Sequence, residues 1–215
     1  MGVPKTFIGQ WRSIEFELIW KVLGARELFL ETFSKPSDKA RIIYKGDSSI
    51  TPNKCNDCKW YTRRMRRYWN GQGEHPGSNS CLCIAAGTAE ICVSFRKGHD
   101  KLVRRVCAFF KDRAYVNKSC GTHVHFDMRH KTPAEVVILG KKLAKCVPAL
   151  RTILPKERRT NGFCNLAISG GLDATGHGYG DRYAFVNLEA YEYHKTIEVR
   201  GHSGTLNATK ILNWI

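Results

Sequence analysis

The most restrictive feature of the sequence is an alternation of polar and apolar side chains that recurs in three short segments. These segments are residues 13–20, 121–127 and 196–200. Successive side chains of a β-strand point to opposite faces of a sheet, so the alternation predicts three strands that each have one apolar and one polar face. The apolar faces are expected to pack on helices, which leaves the polar faces free to form a shared surface.

The polar positions of these strands carry acidic, imidazole and guanidinium groups. They are Glu15 and Glu17, His123 and His125, and Glu198 and Arg200. Burying unpaired carboxylates costs roughly several kcal/mol each, so a shared face of this kind calls for cations. Carboxylates with one or two imidazoles suit Mg²⁺ or Mn²⁺ better than a structural zinc, which prefers thiolates or several histidines.

Arg200 is not a metal ligand, and its fork of donors suits a phosphate or a carboxylate. Metal ions together with this arginine favour phosphoryl transfer, in which the charge on the transferred group must be stabilised. The structural alternative is a set of cross-strand salt bridges between Arg200 and the glutamates. Each polar pair taken alone is more typical of a half-exposed strand face.

The remaining segments predict an α+β domain whose helices cover one face of the sheet. Further strands are predicted at residues 41–44, 89–95 and 183–188, and helices at 100–113, from Thr132 toward Pro155 and from about Ala208. Thr132, Pro133 and Glu135 form a capping box with proline at the first helical position, whereas Pro148 predicts a kink or a stop. The glycine-rich residues 170–180 predict a surface loop, with a mobile lid as the alternative.

Composition and charge bound the class of protein. The chain has 215 residues, of which 42% are hydrophobic, and this suits one domain over residues 1–215. Its formal charge of +16 favours a polyanionic or acidic partner, or simply a solvated basic surface. Nine cysteines form an odd set that predicts reduced thiols. No long apolar run or signal peptide is apparent, so we expect a cytoplasmic protein without a membrane partner.

An irregular segment rich in cysteine and arginine interrupts the pattern at residues 52–83. Its cysteines are Cys55, Cys58, Cys81 and Cys83, and four thiolates suffice for a structural zinc. The alternative is four reduced cysteines in a loop. Aromatic and basic residues interleave from Trp60 to Trp69, which is typical of nucleic-acid-binding surfaces but also of a solvated basic helix or a docking site for an acidic substrate.

Several motifs resemble those of the amidoligase family, distant relatives of glutamine synthetase and glutamate-cysteine ligase. The most specific are Gly121-Thr122-His123-Val124-His125 and Thr196-Ile197-Glu198-Val199-Arg200, and the others are Ile14-Glu15-Phe16-Glu17, Gly46-Asp47-Ser48-Ser49, Ala89-Glu90-Ile91, Val186-Asn187-Leu188 and Gly204-Thr205-Leu206. They occur in the family's order from about Ile14 to the C-terminus, apart from the insertion. The resemblance implies a glutamine synthetase-like fold, with a curved, largely antiparallel sheet that holds ATP and divalent metals on its concave face and helices on its convex face.

The resemblance also implies roles for individual residues. The metal ligands would be Glu15, Glu17, Glu90, His123 and Glu198. His125 would lie beside the nucleotide phosphates and Arg200 would contact the transferred phosphoryl group, while Arg182 and either Arg158 or Arg159 would make secondary phosphate or carboxylate contacts. Asp47 matches an acidic position of the family whose role the sequence does not give.

The activity implied is that of an ATP-dependent carboxylate-amine ligase, which phosphorylates a carboxylate and then lets an amine displace the phosphate. Either substrate would be an amino acid, a peptide, a protein tail or a wall fragment. One alternative is a metal hydrolase or oxygenase using His123, His125 and a carboxylate, but Arg129 rather than a glutamate stands four residues after His125. The other alternative is a module that binds nucleic acid or another polyanion through residues 60–69.

Overall fold

The computed structural model describes residues 11–22, 24–33, 40–46, 50, 87–96, 98, 100–159 and 171–215. Within these ranges the chain is an α+β structure built around a mostly antiparallel sheet. Asp47 and the insertion at 52–83, with its four cysteines and its basic aromatic stretch, lie outside the described residues. The predictions of a structural zinc and of a nucleic-acid surface lie there too.

The main sheet has seven strands among the described residues. They are β1 (Trp11–Trp20), β2 (Ala40–Gly46), β3 (Thr88–Arg96), β4 (Ala114–Tyr115), β5 (Gly121–Asp127), β8 (Val186–Asn187) and β9 (Thr196–Ser203). Their order is β2-β3-β1-β5-β9-β8, with β4 paired to the end of β1, and all of these pairs are antiparallel. Two further short strands, β6 (Gly171–Leu172) and β7 (Gly178–Tyr179), form a separate hairpin.

The helices are α1 (Ala25–Phe33), α2 (Asp100–Phe110), α3 (Pro133–Ile153), α4 (Lys156–Arg159), α5 (Ala190–His194) and α6 (Ala208–Trp214). The capping box predicted for α3 is confirmed, since Thr132 and Glu135 exchange both hydrogen bonds. The helix runs toward Pro155 as predicted and ends at Ile153, so of the kink or stop predicted at Pro148 the stop is wrong. Pro148 is exposed while the adjacent Val147 is buried against the sheet, and this packing offsets the cost of roughly 3 kcal/mol for a proline inside a helix.

Most of the core lies on one face of the sheet, whereas Ile19, which alternates with Leu18 and Trp20, belongs to a smaller cluster with Ile50 and Cys120. Ile14, Val124 and Val199 stand directly opposite one another on β1, β5 and β9, so their side chains share that face. Around β1 and β3 the apolar face packs on α1, α2 and α6, and around β8 and β9 it packs on α3. The predicted covering of one face by helices is therefore confirmed, and the polar positions of the central strands are left on the opposite face.

Several elements differ in extent from the sequence-based expectation. The strand predicted at 183–188 is reduced to Val186–Asn187, and the helix predicted to reach residue 113 ends at Phe110. The strand predicted at 41–44 is longer in the structure, where β2 spans Ala40–Gly46. The helices α1, α4 and α5 and the strand β4 were not predicted, and the hairpin of β6 and β7 lies where a glycine-rich surface loop was predicted. None of the helices among the described residues combines the length and the apolar character that crossing a bilayer requires.

Candidate metal and phosphate site

The strand register brings the polar side chains together. Glu15 on β1 stands opposite His123 on β5, and His125 on β5 stands opposite Glu198 on β9. Because β1 lies between β3 and β5, its alternate residues face polar positions on both neighbours. All of these side chains point away from the apolar core, since Ile14, Val124 and Val199 occupy the other face.

His123 is the centre of the cluster. Its Nδ1 lies 2.6 Å from Glu15 Oε1 and 3.1 Å from Glu198 Oε1, and its Nε2 lies 3.7 Å from Glu17 Oε1. The side chain is only 2% exposed. Burial alone would lower the pKa of the imidazole, but the adjacent Glu15 and Glu198 carboxylates outweigh it and raise the pKa of His123 to about 10.

Glu198 is buried and hydrogen-bonded through both oxygens. Asn187 Nδ2 donates to Oε2 at 2.7 Å, and an Arg200 terminal nitrogen donates to Oε1 at 2.7 Å. Burial opposes ionisation, yet the His123 hydrogen bond and the charges of His123, Arg200 and His125 hold the pKa of Glu198 at about 2. The pKa of Glu15 is likewise lowered well below its ordinary value, against burial, mainly by His123. Both carboxylates are therefore charged at neutral pH.

A β-bulge interrupts the pairing of β5 with β9 inside this cluster. Thr122 pairs with His202 and Val124 with Val199, so His123 alone stands opposite both Arg200 and Gly201. Bulges redirect side chains and are frequent next to active sites. Gly201 is required here because a Cβ at this position would overlap the ring of Phe185 on the core face.

Arg200 extends from the bulge toward the aromatic ring of Tyr183. Its guanidinium carbon lies 5.8 Å from the ring centroid, and that of Arg182 lies 5.2 Å from the same centroid. Arg200 Nε is buried and has no hydrogen-bond partner among the described residues. Glu198 thus holds one terminal nitrogen of the guanidinium, while Nε remains as a donor for a further acceptor. Such an arrangement suits a contact with an anion.

His125 carries a second buried nitrogen without a partner. Its Nδ1 lies 3.0 Å from Thr196 Oγ1, whereas its Nε2 has no hydrogen-bond partner within the described part of the chain. That Nε2 faces Glu15 Oε2 at 3.4 Å and Glu198 Oε1 at 3.9 Å. An imidazole nitrogen between two carboxylate oxygens is a donor set that suits a divalent cation.

The ligand atoms fall into two groups that share one carboxylate. Glu15, His125 and Glu198 form one group and Glu15, Glu17 and His123 the other, with the ligand atoms of each group within 4.8 Å of one another. Three carboxylates face one guanidinium and, when His123 is protonated, one imidazolium, so the carboxylates outnumber these two cations by one. The residues therefore fit a divalent cation such as Mg²⁺ or Mn²⁺.

Three other predicted site residues lie outside the two ligand groups. Glu90 stands opposite Glu17 on the same face, but its carboxylate pairs with Lys45 Nζ at 3.1 Å and belongs to neither ligand group. Arg158 is buried and donates to the carbonyl oxygen of Cys120. Arg159 donates to the carbonyl oxygens of Leu154 and Thr152 at 2.9 Å each, so its guanidinium binds the backbone at the C-terminal end of α3.

Sequence reasoning gave no role to several residues that the structure brings to the site. Asn187 holds Glu198, Thr196 holds His125, Lys45 pairs with Glu90, and the His194 ring lies 6.2 Å from that of His125. A signal existed for Thr196, because it stands two residues before Glu198 and shares its face. No local signal identifies Lys45 or His194, since their positions depend on strand register and on a five-residue helix.

Comparison with known proteins assigns no relatives to the chain. It matches no protein-family model, and searches of curated proteins and of solved structures give no significant match. The resemblance to amidoligases therefore stays a prediction that rests on the motifs themselves.

Proposed function

We propose that this protein is an ATP- and divalent-metal-dependent carboxylate-amine ligase. The observation that carries the proposal is the convergence of three glutamates, two histidines and Arg200 on the sheet face opposite the core. His125 Nε2 faces Glu15 and Glu198 at 3.4 and 3.9 Å but makes no hydrogen bond to them, and Arg200 Nε is also buried without a hydrogen-bond partner in the described structure. One nitrogen suits a metal and the other suits an anion.

The residues divide into two kinds of task. Glu15, Glu17, His123 and Glu198 would hold the metal, and His125, expected from the motifs to lie beside the nucleotide phosphates, would join them because its Nε2 faces two of these carboxylates. The metal when bound offsets charge on the β and γ phosphates and orients in-line transfer. Arg200 would contact the transferred phosphoryl group, and Arg182, stacked on the same tyrosine, would contact a neighbouring phosphate or carboxylate. Glu90 lies on the same face but is paired with Lys45, so its part is more distant.

The reaction has two steps. A carboxylate oxygen of the first substrate attacks the γ-phosphorus of ATP, the bond to the β-phosphate oxygen breaks, and ADP leaves with an acyl phosphate formed. The amine nitrogen of the second substrate then attacks the acyl carbon, inorganic phosphate leaves, and the amine gives up a proton. Arg200 stabilises charge in the first step by donating to the oxygens of the transferred group.

The proposal includes a glutamine synthetase-like fold and action in the cytoplasm, where ATP is supplied. The antiparallel sheet with helices on one face and charged residues on the other supports that fold. The substrates are a carboxylic acid and an amine drawn from amino acids, peptides, protein tails or wall fragments.

Hydroxylamine trapping tests the proposed chemistry directly. Purified protein is incubated with ATP, Mg²⁺, hydroxylamine and a panel of acidic amino acids and peptides, and both ADP and hydroxamate are measured. Hydroxamate appears only if an activated acyl group forms. If no panel member gives ADP, and nucleotide binding is also undetectable, the ligase proposal is wrong.

The variant Arg200→Lys separates phosphoryl transfer from simple metal binding. Lysine keeps the charge but loses the planar fork, so we expect ADP formation to fall by at least about tenfold, the equivalent of roughly 1.4 kcal/mol, while Mn²⁺ binding is retained. Arg104→Lys, at an exposed position on α2, is the matched control and should retain full turnover. Equal turnover in the two variants would remove Arg200 from the reaction.

A further inference from the structure

Glu198 is oriented by a side chain outside the proposed ligand set. Asn187 on β8 stands directly opposite Glu198 on β9, and its Nδ2 donates to Glu198 Oε2 at 2.7 Å. Both residues are buried, with 6% and 4% of their surfaces exposed. Because both groups are buried, water does not compete for this hydrogen bond. The hydrogen bond therefore fixes the rotation of the carboxylate plane.

The amide of Asn187 has only one orientation that fits its surroundings. Its Oδ1 accepts a hydrogen bond from the backbone nitrogen of Glu189 at 2.9 Å, and this nitrogen can only donate. The Nδ2 group therefore faces Glu198, whose charged carboxylate can only accept. The backbone after β8 thus holds the amide, and the amide in turn holds the carboxylate.

The two oxygens of Glu198 consequently have different surroundings. Oε2 is occupied by Asn187, whereas Oε1 faces Arg200 at 2.7 Å, His123 at 3.1 Å and His125 at 3.9 Å. Only Oε1 lies among the other ligand atoms. If both oxygens were free to turn, the carboxylate would chelate one cation or swing toward Arg200 alone.

We propose that Asn187 is a positioning residue for the metal site, which makes Glu198 a ligand through Oε1 only. The inference rests on the proposed function only in requiring a divalent cation at this site. Hydrogen bonds of this type to ligating carboxylates are known to set affinity, and their loss typically weakens metal binding by about 10- to 100-fold. A purely structural asparagine would change stability without changing affinity.

Asn187→Asp tests the proposal with little change of shape. The new carboxylate keeps the acceptor for the Glu189 backbone nitrogen but presents an oxygen instead of an N–H to Glu198 Oε2, so the two carboxylates repel. Mn²⁺ binding is measured from the electron paramagnetic resonance signal of free Mn²⁺, without ATP or turnover. We expect the dissociation constant of Asn187→Asp to rise by about 10- to 100-fold.

Asn207→Asp is the matched control, because it makes the same amide-to-carboxylate change at the exposed N-cap of α6. Its Mn²⁺ affinity should equal that of the unmodified protein. If Asn187→Asp does not fold, as judged by circular dichroism without metal, Asn187→Ala replaces it. That variant removes the donor without adding charge, and the same direction of change is expected.

A double-substitution cycle shows whether Asn187 acts through Glu198. In a Glu198→Gln background the effect of the Asn187 substitution on Mn²⁺ affinity should largely disappear, because the group that it orients is no longer a carboxylate. An undiminished effect in that background, unchanged affinity in the single variant, or no Mn²⁺ binding by the unmodified protein would each overturn the inference. If only the ligase proposal is wrong, no hydroxamate forms but Mn²⁺ binding still depends on Asn187.

Discussion

Glu15 Oε1 lies 2.6 Å from His123 Nδ1, and the same carboxylate reaches toward His125 Nε2 through its other oxygen at 3.4 Å. Glu15 is the member that the two ligand groups share. Both histidines lie on β5, which pairs directly with β1, and this neighbouring position allows the Glu15 side chain to meet both. The site is thus centred on β5, which lies between β1 and β9.

This shared position predicts unequal effects for the two glutamates of β1. Glu15→Gln removes a charged oxygen from both groups, whereas Glu17→Gln removes one from a single group. We expect Mn²⁺ affinity to fall at least about tenfold further in Glu15→Gln than in Glu17→Gln, because lost ligand charge weakens binding of a hard cation. Titration of each variant with Mn²⁺ measures this difference. Equal affinities would show that Glu15 is not shared.

Glu198→Gln is predicted to abolish metal-dependent turnover while leaving the fold intact. Glutamine has nearly the same shape and keeps one acceptor oxygen for either Asn187 or Arg200, but it lacks the negative charge that binds the cation. We expect Mg²⁺-dependent ADP formation to drop by at least about a hundredfold.

The control for this change is Glu27→Gln, on the exposed surface of α1, which should keep full turnover. Circular dichroism spectra of both variants without metal should match that of the unmodified protein. Full turnover by a folded Glu198→Gln protein would take Glu198 out of the site.

The central strands and their polar residues were predictable because the alternation is local. The alternation shows which side chains share a face in residues 13–20 and 196–200. The structure confirms a sheet with helices on one face. The bulge at Arg200 and Gly201 was not predictable, since it depends on two residues meeting one from a strand over 70 positions earlier. Lys45 beside Glu90 likewise follows from register rather than from pattern.

The capping box of α3 gives a prediction about pH. Hydrogen bonds from the Thr132 backbone, from Lys131 and from the Thr132 hydroxyl lower the pKa of Glu135 from 4.5 to about 2. A folded-state pKa below the unfolded one means that the carboxylate stabilises the fold above pH 4.5 and that this contribution is lost as pH falls toward 2. Thermal unfolding of Glu135→Gln should therefore occur below that of the unmodified protein at pH 7, with the gap narrowing from pH 4.5 downward.

Glu27→Gln serves again as a control, since it removes an exposed glutamate from a helix without removing a cap. Its unfolding temperature is measured at the same pH values. A gap for Glu135→Gln that stays constant across the acid range would mean that the charge of Glu135 does not contribute to the cap.

The tight packing behind the bulge predicts a specific cost for Gly201→Ala. The added methyl group would overlap the ring of Phe185, which is fully buried among Val186, Ile197 and the face of α3 and cannot move without disturbing that cluster. Inserting a methyl group into a well-packed core typically costs about 1–3 kcal/mol, so the urea midpoint should fall with an unchanged slope. The double variant Gly201→Ala with Phe185→Leu should lose less stability than the two single changes added together, because the smaller side chain makes room for the methyl group. Strict additivity would place the strain elsewhere in the bulge.

Since Arg200 and Gly201 together oppose His123, Mn²⁺ affinity should weaken in Gly201→Ala and recover in the double variant, which would tie the shape of the core face to the ligands on the other face.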